Sequence, residues 1–323
     1  MRSAEFSVLP FAAIDHDRSE DCFCGVEGRA SFALRARVEA EVTGAASVNV
    51  VNEDGGVVAA GALTLGTYLE EVEDGIFVPF WMVEILLDGM PFGLMSRPAL
   101  GVGRRFYVAH RADWRRVAPP PGLPSGAWFG AGTMLVTEAG DQPVEWIEPG
   151  VQIATRDRGL QPVQHVMRYQ LSQGATGVAL ADIPVSAMAQ PGGSDALVVS
   201  RDSDVMLRST ASEAHFGAQD VFVSARVWQD GFALDPAPQT LTALVFRGHE
   251  VIETAAGVGV GSWRATPWAM ACLTPMQQLS VLHAKGAVHT QILPARQVLT
   301  DEQADQIAPR RRHSGVHHLR QSA

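Results

Sequence analysis

Short apolar runs, separated by turn-forming residues, follow one another along most of this chain. Several of them alternate apolar and polar residues, which is the pattern of a strand with one buried and one exposed face. The 31 glycines and 19 prolines interrupt the pattern at close intervals, which favours many short strands over long helices. Examples of the predicted strand segments are residues 30–42, 46–52, 75–89, 105–110, 195–200, 220–228 and 240–255.

One segment near the C-terminus has helical spacing instead. Apolar residues recur there at regular short intervals, which places them on one side of a helix. These residues are Met270, Leu273, Met276, Leu279 and Leu282. We predict a helix over residues 267–286, with Gly286 as its stop.

The segment VAPPPGLPSGAW (117–128) divides the chain, because its consecutive prolines cannot continue a helix or a central strand. Upstream of it we predict a β-rich N-terminal domain of unknown role. Downstream we predict a second β-rich unit, followed by a helical extension and a basic, flexible tail. The predicted boundaries are 1–117, 118–126 for the Pro/Gly linker, 127–265, 266–309 and 310–323.

The bulk composition limits the classes of partner. A formal net charge of -10 disfavours nucleic acid, because phosphate binding requires a positive surface. No apolar run reaches the roughly 18 residues of a membrane-spanning helix, so we expect no integral membrane segment. The N-terminal residues lack the pattern of an export signal, and the odd number of cysteines, 3, fits a reducing compartment. We therefore expect a cytoplasmic protein, with leaderless export as a route that leaves no such signature.

Motifs in a fixed order carry a resemblance to a known family. They are Phe129–Thr133, Met134–Thr137, Pro143–Glu145, Ile147–Gly150, Thr155–Gly159, Gln161–Val163, Leu197–Ser200, Phe216–Gly217, Val221–Ala225 and Phe246–Ile252. In this order they resemble the Hint domain, the Hedgehog/intein module, in the form found in bacterial Hint-domain proteins. The resemblance covers about residues 126–263. It implies a mainly β protein: a β-rich N-terminal domain, an all-β, horseshoe-like Hint domain and a C-terminal helix.

The resemblance also implies a chemistry and a position for its nucleophile. In a Hint domain the side chain of the first residue attacks the preceding carbonyl carbon and converts the amide into a thioester or ester. This step requires Cys, Ser or Thr. Trp128 stands at that position here, and its indole has an N–H donor but no atom that can attack. The nearest upstream hydroxyl is that of Ser125, an alternative nucleophile that requires a shift of three residues.

The family's Thr/Ser-x-x-His element aligns with Ser200–Arg201–Asp202–Ser203. A hydroxyl is kept at Ser200, whereas Ser203 replaces the imidazole that protonates the leaving amide nitrogen. A serine hydroxyl titrates far too high to act as that acid. His249 in the late motif either assists chemistry or ends its strand and hydrogen-bonds a neighbouring carbonyl, and we favour the second interpretation.

Metal and cofactor sites have little support in the sequence. Asp15–Asp17, Cys22 and Cys24 could bring ligands together, but a second cysteine pair with the spacing of a structural zinc site is missing. Cys272 lies on the apolar helical face, where we expect a buried small hydrophobe. The other histidines that we considered as ligands are His283, His289, His317 and His318. We expect no cofactor and no metal ion.

Two functions follow from these observations. The first is a Hint-fold protein without self-cleavage that acts as a binding or assembly module, with another protein as its partner. The alternative is an autoprocessing protein that cleaves itself near the 117–128 linker by an acyl shift.

Overall fold

The structure is a computed structural model, and it describes residues 5–27, 32–36, 46–73, 76–97, 99–114, 126–171, 180–183, 197–228, 239–285 and 294–307. The described part is mainly β, with four α-helices, in agreement with the predicted fold class. The proline-rich stretch up to Ser125, His289 and the basic tail with His317 and His318 lie outside the described residues. None of the described helices has both the length and the apolarity to cross a lipid bilayer.

The described residues among the first 113 form ten strands. They are β1 (Glu5–Pro10), β2 (Ile14–Asp17), β3 (Cys22–Gly25), β4 (Phe32–Ala36), β5 (Ser47–Val51), β6 (Val57–Glu73), β7 (Ile76–Leu87), β8 (Met90–Arg97), β9 (Arg105–Tyr107) and β10 (His110–Asp113). Seven form an antiparallel sheet in the order β10-β6-β5-β4-β1-β8-β7. Because β6 also pairs with β7, six of these strands close into a ring. The strands β2, β3 and β9 form a smaller sheet.

The very apolar run in β7 is explained by burial on both faces. Every side chain from Phe80 to Leu87 except Glu84 is buried. Trp81 and Ile85 belong to one hydrophobic cluster, whereas the alternating Phe80 belongs to another, beneath β3 and β9. A strand that packs on both sides loses the apolar–polar alternation of a half-exposed strand.

The second half of the chain supplies the remaining elements. Its strands are β11 (Met134–Thr137), β12 (Gly140–Pro143), β13 (Gln152–Thr155), β14 (Gly159–Pro162), β15 (His165–Leu171), β16 (Leu180–Ile183), β17 (Leu197–Ser200), β18 (Asp204–Arg208), β19 (Asp220–Ser224), β20 (Gln239–Val245), β21 (Val251–Glu253), β22 (Gly259–Gly261) and β23 (Gln297–Val298). Its helices are α1 (Thr210–Phe216), α2 (Pro267–Ala271), α3 (Pro275–Lys285) and α4 (Asp301–Ile307).

Most of these strands form a nine-stranded sheet in the order β12-β11-β13-β21-β22-β18-β19-β23, with β14 paired to β13. The pairs β15–β20 and β16–β17 complete the described sheets of this half. Tight turns connect neighbours, and glycines with positive φ occupy them at Gly140, Gly150 and Gly159. The short, turn-linked strands agree with the all-β unit expected from the sequence.

The helix predicted over 267–286 is two helices, α2 and α3. Pro275 has no N–H to donate, and its ring would clash with the carbonyl of the residue four positions earlier, so a continuous helix cannot pass through it. Proline fits instead at the first position of α3. The threonine hydroxyl of Thr266 caps α2 by accepting from Ala269 N at 3.1 Å.

A single hydrophobic cluster connects the two halves of the chain. It contains Phe6 and Trp81 from the N-terminal sheet, Trp128 and Leu241 from the second half, and Leu279 from α3. Helix α3 contacts both β6 and β15. The described structure therefore packs the N-terminal strands, the second sheet system and α3 around shared apolar contacts.

Polar contacts at this junction involve His283 of α3. The Arg97 guanidinium donates to His283 Nδ1 at 3.0 Å and to the His283 carbonyl oxygen at 3.1 Å, and the ring of Phe6 meets the imidazole edge-on. Burial and then the Arg97 charge lower the pKa of His283. Burial and then His283 lower the pKa of His165, at the start of β15.

Acidification should weaken this junction. Both imidazoles bind protons less readily in the folded protein, so the unfolded chain takes up protons first as pH falls. Stability should be fully retained above the ordinary histidine pKa of about 6.5 and decrease below it. When the pH is lowered from about 7.5 to about 5.5, we expect the thermal unfolding midpoint of the wild type to decrease more than that of the His283→Gln variant. The glutamine can accept the Arg97 hydrogen bond without titrating, and a pH-independent difference would contradict the prediction.

Candidate functional site

The segment Gly126–Trp128 enters the second half of the chain between two strands. Phe129 N donates to Thr242 O at 2.8 Å, and Thr242 N donates back to Phe129 O at 2.9 Å. Gly130 N then donates to Val198 O at 2.8 Å. These bonds fix the chain between β17 and β20, so the position of the Ala127–Trp128 peptide unit is set by backbone pairing on both sides.

The hydroxyl of Ser200, at the end of β17, brackets this peptide unit. Its Oγ donates to Gly126 O at 2.7 Å and accepts from Trp128 N at 3.1 Å. The Ser200 backbone N–H donates to Trp128 O at 2.8 Å. Trp128 N is the amide nitrogen of the Ala127–Trp128 bond, which is the bond that the aligned acyl shift would break. The retained hydroxyl therefore lies on the leaving nitrogen of the candidate scissile bond.

Ser203 completes a buried pair with Ser200. The two Oγ atoms are 2.8 Å apart, and Ser203 N donates to Ser200 O at 2.9 Å across the turn. Both side chains are buried. Asp202 in the same turn is exposed and lies 3.5 Å from Arg226. Asp204 is half-buried beside Arg264, and desolvation raises the pKa of its carboxyl.

The side chain of Trp128 is a core side chain. It is fully buried in the cluster that joins the two halves of the chain, and it meets Tyr169 in an edge-on arrangement with ring centroids 6.2 Å apart. Its Nε1 has no hydrogen-bond partner among the described residues. Packing therefore accounts for the placement of this indole, and the shape of the surrounding core favours a large ring here.

The indole of Trp263 packs against Gly126, the residue that precedes Ala127 of the candidate bond. Gly126 has a φ of +114°, and a Cβ at this position would lie 2.7 Å from Trp263 Cδ1. Both the backbone conformation and the lack of space therefore require glycine. Trp263 was not identified from the sequence as part of this site, because an apolar residue at the end of a motif gives no signal of a contact with Gly126.

His249 lies among other residues. Its Nδ1 accepts from Ala295 N at 3.1 Å, and its ring packs against Phe222 with centroids 5.4 Å apart. Gly261 is so close that a Cβ there would lie 2.8 Å from His249 Nε2. These partners belong to β19, to β22 and to the C-terminal residues, whereas the Ser200 hydroxyl contacts Gly126, Trp128 and Ser203. The described Nδ1 contact of His249 is with a backbone N–H, and the bond to a carbonyl expected from the sequence stays a prediction.

The residues considered as metal ligands have other partners. In the β2–β3 hairpin, Asp15 pairs with Cys24 and Asp17 with Cys22, and the His16 ring stacks on Phe23 at 4.1 Å. The described residues contain no group of three or more His, Cys, Asp or Glu arranged for a metal ion. Cys272 is half-buried just after α2, and His283 contacts Arg97.

In chemical terms, the site can polarise a peptide bond but lacks an attacking atom at the aligned position. Ser200 can stabilise the Ala127–Trp128 unit through its two hydrogen bonds. Side chains near this unit include the indole of Trp263 beside Gly126 and the hydroxyl of Ser203 beside Ser200. Ser125, the alternative nucleophile, lies outside the described residues.

The Ser200 hydroxyl should contribute more to the free energy of unfolding than the Ser203 hydroxyl. In Ser200→Ala, the buried Trp128 N–H and Gly126 carbonyl lose their partner, and each such group costs about 1–3 kcal/mol. We expect Ser200→Ala to lower the free energy of unfolding by about 2–4 kcal/mol and Ser203→Ala by about 1 kcal/mol. Urea unfolding of the two variants measures this, and an equal loss in both would contradict the bracketing role of Ser200.

Comparison with known protein families identifies a domain that contains this site. The family model of the Hint domain matches residues 127–265, a range that begins one residue before Trp128 and includes Ser200, Ser203, His249 and Trp263. No curated protein and no solved structure gives a significant match. The chain therefore contains a Hint domain over residues 127–265.

Proposed function

We propose that this Hint domain does not cleave the chain and that it acts as a fixed binding or assembly module to which the N-terminal domain stays joined. The observation that carries the proposal is the indole of Trp128 in the aligned nucleophile position, fully buried in the core. An amide bond can be transferred only to a side chain that has an attacking lone pair, and indole has none.

The acid required for the acyl shift is also missing from the aligned position. Ser203 lies 2.8 Å from Ser200, and both hydroxyls are neutral at any physiological pH. General acid–base catalysis by a positioned group is typically worth about 10²–10⁴-fold in rate. The loss of the acid and of the nucleophile together supports a domain that keeps the scaffold without the reaction.

Packing supports a module that holds the two halves together. Trp128 shares one hydrophobic cluster with residues of the N-terminal sheet such as Val83 and with Leu279 of α3. Severing the chain beside Trp128 would leave new charged termini in this buried region, which is unfavourable without partners. The same contacts favour an N-terminal domain that stays attached, with a protein as the partner of the assembled molecule.

One observation favours the alternative, an autoprocessing protein that cleaves itself near the 117–128 linker. The Ser200 hydroxyl still accepts from the nitrogen of the Ala127–Trp128 bond, as a group that assists amide departure would. In this alternative, Ser125 Oγ attacks the Pro124 carbonyl carbon, and the Pro124–Ser125 amide bond breaks as the ester forms. The chain must then shift by three residues, so that Ser125 N takes the place of Trp128 N beside Ser200.

The mass of freshly purified protein should be that of the full chain, and it should remain so during incubation with hydroxylamine or dithiothreitol. These reagents intercept an ester or thioester and would accelerate the release of fragments if one formed. Fragments that end at Ala127 would contradict the proposal. Cleavage in the linker that Ser125→Ala abolishes would establish the alternative.

A designed positive control uses the same scaffold. The variant Trp128→Cys with Ser203→His restores both missing groups, and we expect dithiothreitol to release fragments from it. Each single variant lacks one of the two groups and should release far less. The double variant shows that the mass assay detects an acyl shift at this bond, which makes the intact wild type informative.

A further inference from the structure

Residues 294–307, which we call the C-terminal segment, lie against the Hint domain although they follow its matched range. The segment contains β23 and α4. Strand β23 adds to the edge of the nine-stranded sheet, parallel to β19, with Gln297 beside Val221 and Val298 beside Phe222. Leu299 N donates to Phe222 O at 2.9 Å. This is the geometry of an extended peptide that binds by extending a sheet.

Two polar anchors fix the start of the segment. The Arg296 guanidinium donates to both carboxylate oxygens of Asp157, at 2.5 and 2.8 Å. The Ala295 N–H donates to Nδ1 of the buried His249 at 3.1 Å. A bidentate arginine–carboxylate pair combines energy with directional specificity, so these contacts define both the register and the orientation of the segment.

Apolar side chains fill the surface beyond the anchors. Leu299, Ala304 and Ile307 are buried in one cluster with Leu207, Val221 and Val223 of β18 and β19. The adjacent Gln297 and Val298 are exposed. The segment therefore presents one apolar side to the Hint domain, as an amphipathic ligand does in a groove.

The short helix of the segment is specified by its own sequence. Thr300 N donates to Gln303 Oε1 at 3.0 Å, and Gln303 N donates to Thr300 Oγ1 at 3.3 Å. This reciprocal pair is a capping box, which satisfies two backbone donors at the helix start. Asp301 additionally pairs with Arg226 at 3.3 Å. Because these contacts start the helix locally, the segment carries its own recognition features.

From these contacts we propose that the edge of the Hint domain around β19 is a segment-binding site, and that the C-terminal segment is its detachable ligand. The ligand chemistry is an arginine, two exposed positions, a buried leucine and a capped helical turn with apolar residues on one side. A second copy of this chain carries the same segment and is the partner that fits the site in an assembly. The inference deepens the proposed binding function and rests on it only for its biological use.

The test uses the full chain with a protease recognition sequence inserted among residues 286–293. After the protein has folded, the insert is cut and the fragment beginning near Pro294 should remain bound during gel filtration. A labelled synthetic peptide of residues 294–307 should then exchange into the site, measured by fluorescence anisotropy. Loss of the fragment at once, with no uptake of the peptide, would overturn the proposal.

Peptide variants separate specific binding from adhesion. Peptides with Arg296→Glu or Leu299→Asp should compete at least about tenfold less well, whereas Gln297→Ala, at an exposed position, should compete like the wild-type peptide. Equal competition by all of them would overturn the site. As a charge reversal, Asp157→Arg in the protein should weaken binding of the wild-type peptide and restore binding of the peptide that carries Arg296→Asp.

A last measurement covers the case in which the inserted sequence disturbs the fold. In the uncut full chain, Leu299→Asp should release the segment and let the wild-type peptide bind, while the wild type takes up far less. Failure of this variant to bind the peptide would overturn the proposal. Mass spectrometry of the same samples reports cleavage at Ala127–Trp128 separately, so failure of this site and failure of the proposed function are distinguishable.

Discussion

The burial of the Trp128 indole is the constraint on which the rest of the structure depends. This side chain is fully enclosed, and its Nε1 has no hydrogen-bond partner among the described residues, so it contributes through packing. Its backbone is held at the same time by Ser200 through Trp128 N and Trp128 O. A residue at the aligned nucleophile position thus belongs to the hydrophobic core. A nucleophile needs the opposite placement, with a polar atom free to reach a carbonyl.

The shared core extends this constraint to both halves of the chain. The cluster around Trp128 includes Trp81 from the N-terminal sheet and Leu282 from α3. Burial of apolar side chains contributes roughly 25 cal/mol per Å², so a large indole at such a junction stabilises both halves together. The C-terminal segment is attached to the Hint domain by other contacts, namely the Arg296–Asp157 pair and the pairing of β23 with β19.

Local patterns in the sequence predicted the mainly β class, and each strand segment quoted from them contains a described strand, although the long strand β6 was not among them. The ordered motifs that resemble the family predicted the Hint domain. The prediction was less successful where a side chain or a backbone requirement overrides periodicity. Pro275 divides one predicted helix into two. The strand β22 is rich in glycine, because Gly259 and Gly261 lie against Val251 and His249, where a Cβ would not fit. The capping box of Thr300 and Gln303 was a readable signal for α4.

Contacts between distant residues could not be read from the sequence. Nothing in the local pattern shows that Trp263 covers Gly126, or that His249 accepts from Ala295 rather than from a residue near Ser200. Such contacts depend on which strands become neighbours, and that is decided by the packing of the whole core. The absence of an attacking atom at Trp128, by contrast, follows from the residue type alone.

The central claim is that the aligned nucleophile position now anchors the two halves of the molecule to each other. The most direct test replaces residues 118–124 by a protease recognition sequence, cuts the folded protein there, and follows the two fragments by gel filtration. If the buried Trp128 holds the halves together, the fragments should elute together in native buffer and separate only in denaturant, and Trp128→Ala should let them separate more readily. Fragments that part at once in native buffer, with each remaining folded, would contradict it.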